Sequence, residues 1–183
     1  MSPGFDPRER PWFKDALKAG KSVITEAYLS DAGDNIVCTA ATPILVGGKT
    51  VGVAGFDISI NTITDETGNV FVGKTGFILG VDTASQIVSV PKSGGERSFP
   101  ETAWLGKTLS DLPDDARTAL STLLALTDGT ATVTYNDAKR LARVRKAENG
   151  WTLIMLQDSN KVFSDAFQVT LSILLDSVYT RSS

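Results

Sequence analysis

The spacing of apolar positions changes several times along the chain, and each change marks an element. Trp12 to Ala19 has the pattern of a short helix, stopped by Gly20, after an extended approach held by Asp6-Pro7 and Arg10-Pro11. Ser22 to Leu29, Asn35 to Leu45 and Thr50 to Ile60 are rich in Val, Ile and Thr, as strands are. They are parted by Asp31-Ala32-Gly33-Asp34-Asn35 and Gly47-Gly48-Lys49, turns short enough to predict an antiparallel meander. Asn61 to Val70 predicts a polar helical connector, and Thr75 to Val81 with Gln86 to Pro91 a second hairpin around Asp82-Thr83-Ala84-Ser85. Lys92 to Ser98 has the composition of a loop. Pro113-Asp114-Asp115 opens a helix through Leu126, its carboxylates at the positive end of the dipole. Thr130 to Tyr135, Ala138 to Ala147 and Thr152 to Gln157 predict three further strands, turning at Asn136-Asp137 and Asn149-Gly150. Ser159 to Leu175 closes the chain as a helix with Val162, Phe163, Ala166 and Phe167 on one face. The sum is an α+β chain of two units, each built on an antiparallel sheet.

Composition narrows what such a chain can do. Its 183 residues are 42% hydrophobic and 21% charged, the balance of a folded globular protein. Lys and Arg total 18 against 21 Asp and Glu, a net charge of -3, which argues against nucleic acid as a partner. The absence of His removes Ser-His-Asp and Cys-His catalysis and His-bearing zinc sites. Cys38 alone can form neither an internal disulfide nor a thiolate metal site, and beside Ile36, Val37 and Ala40 it is expected to be buried. No metal and no cofactor is expected. Met1 to Gly20 lacks the apolar stretch of a signal peptide, and Val169 to Leu175, closed by Asp176, falls short of the ~20 residues that cross a bilayer. The chain as it stands is expected to be soluble.

Three features carry candidate chemistry. Gly68-Asn-Val-Phe-Val-Gly73-Lys74-Thr75 satisfies the phosphate-loop spacing GxxxxGK[ST], but that motif needs a strand before it and a helix after it. Here a polar segment precedes and the strand Gly76 to Val81 follows, so a strand-initiating turn is expected. Phe5-Asp6-Pro7-Arg8-Glu9-Arg10-Pro11-Trp12-Phe13 gathers three aromatics and two guanidinium groups. Trp12 and Phe13 could pin a helix to a sheet while one Arg pairs with Glu9, or a guanidinium beside the indole could take a small carboxylate in a bidentate grip. Asp57, at the end of Val51-Gly-Val-Ala-Gly-Phe-Asp57, could receive a cation or cap the following helix. An acid–base enzyme using Asp31, Asp34 or Asp57 is disfavoured, because turn carboxylates are solvated and no paired buried dyad stands out. The chain is not expected to be an enzyme.

Phe5-Asp-Pro-Arg-Glu-Arg10-Pro-Trp12-Phe13, Glu26-Ala-Tyr28, Gly52-Val-Ala-Gly55-Phe-Asp57-Ile58 and Gly73-Lys-Thr75-Gly76-Phe77 together resemble successive landmarks of the double Cache sensory domain of bacterial methyl-accepting chemotaxis proteins. The resemblance implies tandem PAS-like modules: a membrane-distal module over 1–62, a membrane-proximal module over 63–158, and an exit helix and tail over 159–183. It implies a ligand site in the distal module, with Arg10 and Trp12 at the ligand-carboxylate positions and Asp57 at the position that receives an amino group. Phe5 and Phe13 stand where amino-acid binders show Tyr, and Ser30 stands where many show Asp, two residues after the matched Tyr28. The expected ligand-binding set is therefore Phe5, Arg10, Trp12, Phe13, Tyr28, Ser30 and Asp57, for an amino acid or a simple carboxylate. A complete member would carry a transmembrane helix, a stalk and opening strands before Phe5 and a second span after the exit helix, so the distal module is expected to be incomplete. The implied setting is the periplasmic or extracellular side of the inner membrane, with a homodimer as a further partner. The alternatives are the sensor of a histidine kinase or cyclase, or a structural or dimerisation fragment that binds nothing.

Overall fold

The computed structural model describes residues 6–30, 35–70, 75–94 and 98–162. Two antiparallel sheets organise them. The first joins β1 (Val23–Ile24), β2 (Tyr28–Leu29), β3 (Ile36–Val46) and β4 (Lys49–Ser59), with β1 and β2 following one another along one edge of β3 and β4 on the other. The β3–β4 turn is Gly47-Gly48, both at positive φ (57° and 79°), a conformation glycine takes without steric cost and one that matches the strand twist. α1 (Pro11–Ala19) lies against β1, β3 and β4; Pro11 opens it and Gly20, in the left-handed region at φ 62°, closes it.

The second sheet has the order β6-β5-β9-β8-β7, built from β5 (Phe77–Val81), β6 (Ile87–Ser89), β7 (Asp128–Tyr135), β8 (Ala138–Lys146) and β9 (Thr152–Asp158). α2 (Ile60–Thr67) links the sheets. α3 (Asp114–Leu124) buries Ala116, Ala119, Leu120 and Leu123, its i, i+3, i+4, i+7 stripe, in a core with Phe77, Leu79, Ile87 and Ile154. Gly106, at φ 77° in the connection before α3, approaches the first sheet so closely that a Cβ would sit 2.6 Å from Ile36 Cδ1.

Several elements depart from the sequence pattern. The single strand expected over Ser22 to Leu29 is two short pieces, because Thr25 interrupts the ladder: its hydroxyl accepts the Thr39 N–H (2.9 Å) while its own N–H donates to the Thr39 carbonyl (3.0 Å). Glu26 and Ala27 then turn to the second sheet. Single-turn 3-10 helices at Pro7–Glu9, Pro100–Trp104 and Leu109–Asp111 are too short to show a period in the sequence. The glycine motif begins where α2 ends: Gly68 is the C-cap of α2, while Gly73 and Lys74 lie outside the described residues. Cys38 is fully buried, its thiol pushed up by burial. The closing helix is helical over 159–162, and the rest of it lies outside the described residues. Among the described residues no helix is long and apolar enough to cross a membrane.

Candidate functional site

Arg10 is aimed by what precedes it. Asp6 caps the 3-10 turn, accepting the Arg8 N–H (2.9 Å) and the Arg8 guanidinium (Nη2–Oδ2 2.8 Å), which hold its carboxyl below the usual range. The surface pairs are thus Arg8 with Asp6 and Lys14 with Glu9 (2.6 Å), rather than Arg with Glu9. Arg10 follows in extended backbone (φ -77°, ψ 147°) as the N-cap of α1, its carbonyl accepting the N–H groups of Phe13 and Lys14 (3.2 Å each). The chain direction set there brings its guanidinium over the Tyr28 ring, 5.9 Å from the centroid.

Trp12 lies on the sheet at Gly55. A Cβ there would come within 3.1 Å of Trp12 Cε3 and 3.3 Å of Thr39 Cγ2, so the indole rests where only hydrogen is accommodated without displacement. Thr39 and Asp57 are paired across β3 and β4, and their side chains share the face that carries Gly55. Asp57 Oδ1 accepts the Thr39 hydroxyl at 2.7 Å, and the Tyr28 hydroxyl shares its single proton between the Thr39 oxygen (2.5 Å) and Asp57 Oδ1 (3.3 Å). Burial, followed by the Asp57 charge among the raising influences, lifts the Tyr28 phenol above its ordinary value, although the Thr39 bond opposes this. Tyr28 therefore enters the network as a neutral donor at any physiological pH.

Arg10, Trp12, Tyr28, Thr39, Gly55, Phe56 and Asp57 line one cavity of about 200 Å³. Four expected residues, Arg10, Trp12, Tyr28 and Asp57, are thus brought together from three separate stretches of chain. Phe13 stands behind the wall, edge-on to Trp12 with centroids 5.7 Å apart, and the Ser30 N–H, just past β2, donates to the Asn35 carbonyl (2.8 Å). Neither lines the cavity, and Phe5 lies outside the described residues. Asp57 does not cap the following helix; Ser59 does, accepting the Asn61 N–H at 3.2 Å. Thr39, Gly55 and Phe56 are the lining residues that sequence reasoning left out of the set; for Thr39, strand alternation opposite Asp57 was the signal that could have found it. A larger groove of about 920 Å³ runs past Ile24, Ala54 and Phe56, but the charges along it, Lys21 and Glu148, are not joined by a polar network. Among the described residues no group of side chains could hold a metal ion.

A guanidinium and a carboxylate on one small cavity, with an indole wall and a phenol between them, form a site for a compact ligand bearing charge. The α+β fold with antiparallel sheets is the class of Cache ligand-binding domains, and solved structures share it: the ligand-binding domain of the Pseudomonas fluorescens chemoreceptor CtaA in complex with L-alanine aligns with a TM-score of 0.64 and 25% identity, over 89% of this chain and 66% of that one. Residues 2–65 match the family model of the methyl-accepting chemotaxis protein-like first PDC sensor domain. The chain is 34% identical over 87 residues to PctB of Pseudomonas aeruginosa (48% of this chain, 14% of that protein). It is 25% identical over 176 residues to McpB of Bacillus subtilis (94% of this chain, 24% of that protein). Over these stretches the chain is similar to the sensory part of methyl-accepting chemotaxis proteins, and it spans between a seventh and a quarter of the length of these relatives.

Proposed function

We propose that this chain is the extracytoplasmic sensing part of a bacterial chemoreceptor and that the cavity beneath Trp12 binds a small α-amino acid. In this reading 1–62 is the ligand-holding distal module, 63–158 the proximal module, and 159–183 the segment that passes the signal to the membrane. The observation that carries it is the convergence of Arg10 and Asp57 on one cavity of about 200 Å³. The Arg10 guanidinium receives the ligand carboxylate through paired N–H donors. Asp57, oriented by Thr39 and Tyr28, receives the ammonium. Trp12 covers the backbone of the ligand and lowers the local dielectric, which strengthens both contacts. A volume below that of drug-sized pockets suits a free amino acid better than a peptide. The relative solved with L-alanine supports the ligand class.

Signalling follows from population shift: a ligand that prefers one arrangement of α1 on the sheet biases the module toward it, and the bias is transmitted onward. Calorimetry with L-alanine tests the site. Arg10→Ala should abolish measurable binding, a loss of about 2–5 kcal/mol if the pair is desolvated, while Arg8→Ala, at an exposed residue paired to Asp6, should leave affinity within about twofold. Equal affinity in Arg10→Ala and wild type would remove Arg10 from the site.

A further inference from the structure

Asp82 sits in the turn of the β5–β6 hairpin, is 4% exposed and, among the described residues, faces no cation within salt-bridge distance. A buried carboxylate must be compensated, and here three backbone N–H groups do it: Ala84 (2.9 Å) and Gln86 (2.8 Å) donate to Oδ1, and Ala27 (3.0 Å) donates to Oδ2. The first two close its own turn. The third comes from the other sheet, one residue before Tyr28. β2 is only two residues long, paired with Val37 and Ile36, so its ladder holds it weakly. Side-chain tethers set its position: the Tyr28 hydroxyl on Thr39 and Asp57 inside the cavity, and the Asp82 carboxylate on Ala27 outside it. On the far side Asp82 follows Val81, which pairs with Thr152 at the start of β9, and β9 runs to Asp158, where the closing helical segment begins.

We propose that Asp82 is the positioning residue that couples the cavity to the second sheet, acting through Ala27 and the short strand β2. A displacement of Tyr28 moves the Ala27 N–H, and the carboxylate that accepts it redistributes its bonds to Ala84 and Gln86. The neighbouring Thr83–Glu26 bond (3.2 Å) is exposed and is not part of the route. The proposal rests on the reading of the cavity as the ligand site, but its test needs no ligand.

Backbone amide hydrogen exchange, read residue by residue on the wild type, Tyr28→Phe, Asp82→Asn and the double variant, decides it. Loss of the Tyr28 hydroxyl frees β2 at its inner end, so Tyr28→Phe should speed exchange at Ala84 and Gln86 by about three- to tenfold, a size usual for coupling between sites. In the Asp82→Asn background the same substitution should add nothing at Gln86, whereas in a Thr83→Ala background it should act in full. Unchanged exchange at Ala84 and Gln86 in Tyr28→Phe, or equal increments with and without Asp82, overturns the coupling. If Asp82→Asn does not fold, exchange at Ala84 and Gln86 in Tyr28→Phe against wild type still decides: acceleration supports the coupling and unchanged exchange overturns it. Failure of L-alanine to bind, by contrast, would overturn the ligand reading and leave the coupling standing.

Discussion

Replacing Asp57 by Asn separates an amino acid from a simple carboxylate as the ligand of the cavity. The substitution keeps an oxygen for the hydroxyls of Thr39 (2.7 Å) and Tyr28 (3.3 Å), so the fold and the shape of the wall should be retained. What it removes is one negative charge. Two unit charges about 4 Å apart attract by about 1 kcal/mol in water and about 4 kcal/mol at an effective dielectric near 20. Asp57 is exposed at the mouth of the strand face, so its contact with a ligand ammonium falls short of the upper end of that range. The expected loss is about 1.4–2.8 kcal/mol, or 10- to 100-fold in Kd. For a ligand without an ammonium the sign reverses: the carboxylate of Asp57 repels a second carboxylate, and its neutralisation should leave affinity unchanged or raise it. Calorimetric titration of L-alanine, pyruvate and succinate into wild type and Asp57→Asn reads both signs. Weaker L-alanine with unchanged or tighter pyruvate is the expected result. If L-alanine binds both proteins equally, the ammonium does not meet Asp57 and the orientation proposed for the ligand is wrong.

Gly55→Ala should displace Trp12, whose Cε3 lies 3.1 Å from where the new Cβ would be; L-alanine affinity should fall about tenfold or more, while urea stability changes by about 1 kcal/mol or less, and intact affinity would show that the indole is not part of the wall. Burial, and then the adjacent Glu101 carboxylate, hold the Tyr135 phenol above its ordinary value, which favours the folded state until the unfolded phenol ionises. Stability from this group is complete below about pH 10 and is lost as pH rises further, by up to about 1.4 kcal/mol per pH unit. Urea unfolding between pH 9 and 11 should therefore show a shallower decline in Tyr135→Phe, and parallel declines would contradict the assignment. ATP with magnesium should give no thermal shift in the wild type or in Lys74→Ala, since β5 rather than a helix follows the glycine motif; a saturable shift lost in Lys74→Ala would restore the phosphate-loop reading.

The elements most legible in the sequence were those with long local patterns. β3 and β4 each run 11 residues with a glycine turn between them, and α3 carries an unbroken apolar stripe, so alternation and helical period placed them within a residue or two. β1 and β2 were not separable, because their division depends on Thr25 bonding to Thr39 and on Ala27 bonding to Asp82, contacts between residues remote in sequence. The same limit applied to the site. Arg10, Trp12, Tyr28 and Asp57 could be named from motifs and resemblance, but Thr39 becomes visible only once the register sets it across from Asp57. Phe13 was expected at the ligand because the resemblance sets it where amino-acid binders show Tyr; successive positions on a helix point in different directions, and its ring lies edge-on to Trp12, outside the cavity lining.

The two faces of the first sheet keep most of the cavity lining apart from the edge that β4 presents among the described residues. In the second sheet β9 is flanked on both sides, by β8 and by β5. In the first, β4 pairs with β3 alone among the described residues, and Val51 and Phe56 are 63% and 66% exposed there. Side chains alternate along β3 and β4, so Thr39, Gly55 and Asp57 occupy the face that receives Trp12, whereas Ala40 and Phe56 point to the other. The charged groups that would hold a ligand are thus supplied by α1, β2 and one face of the β3–β4 ribbon, and every polar contact between them is made within those elements. What an additional strand beside β4 would change is the burial of Val51 and Phe56, not the pairing of Thr39 with Asp57. Apart from Phe56, which also lines the cavity, the polar groups of the cavity and the residues left exposed on β4 are different, and variants at Arg10 and Asp57 test the first without depending on the second.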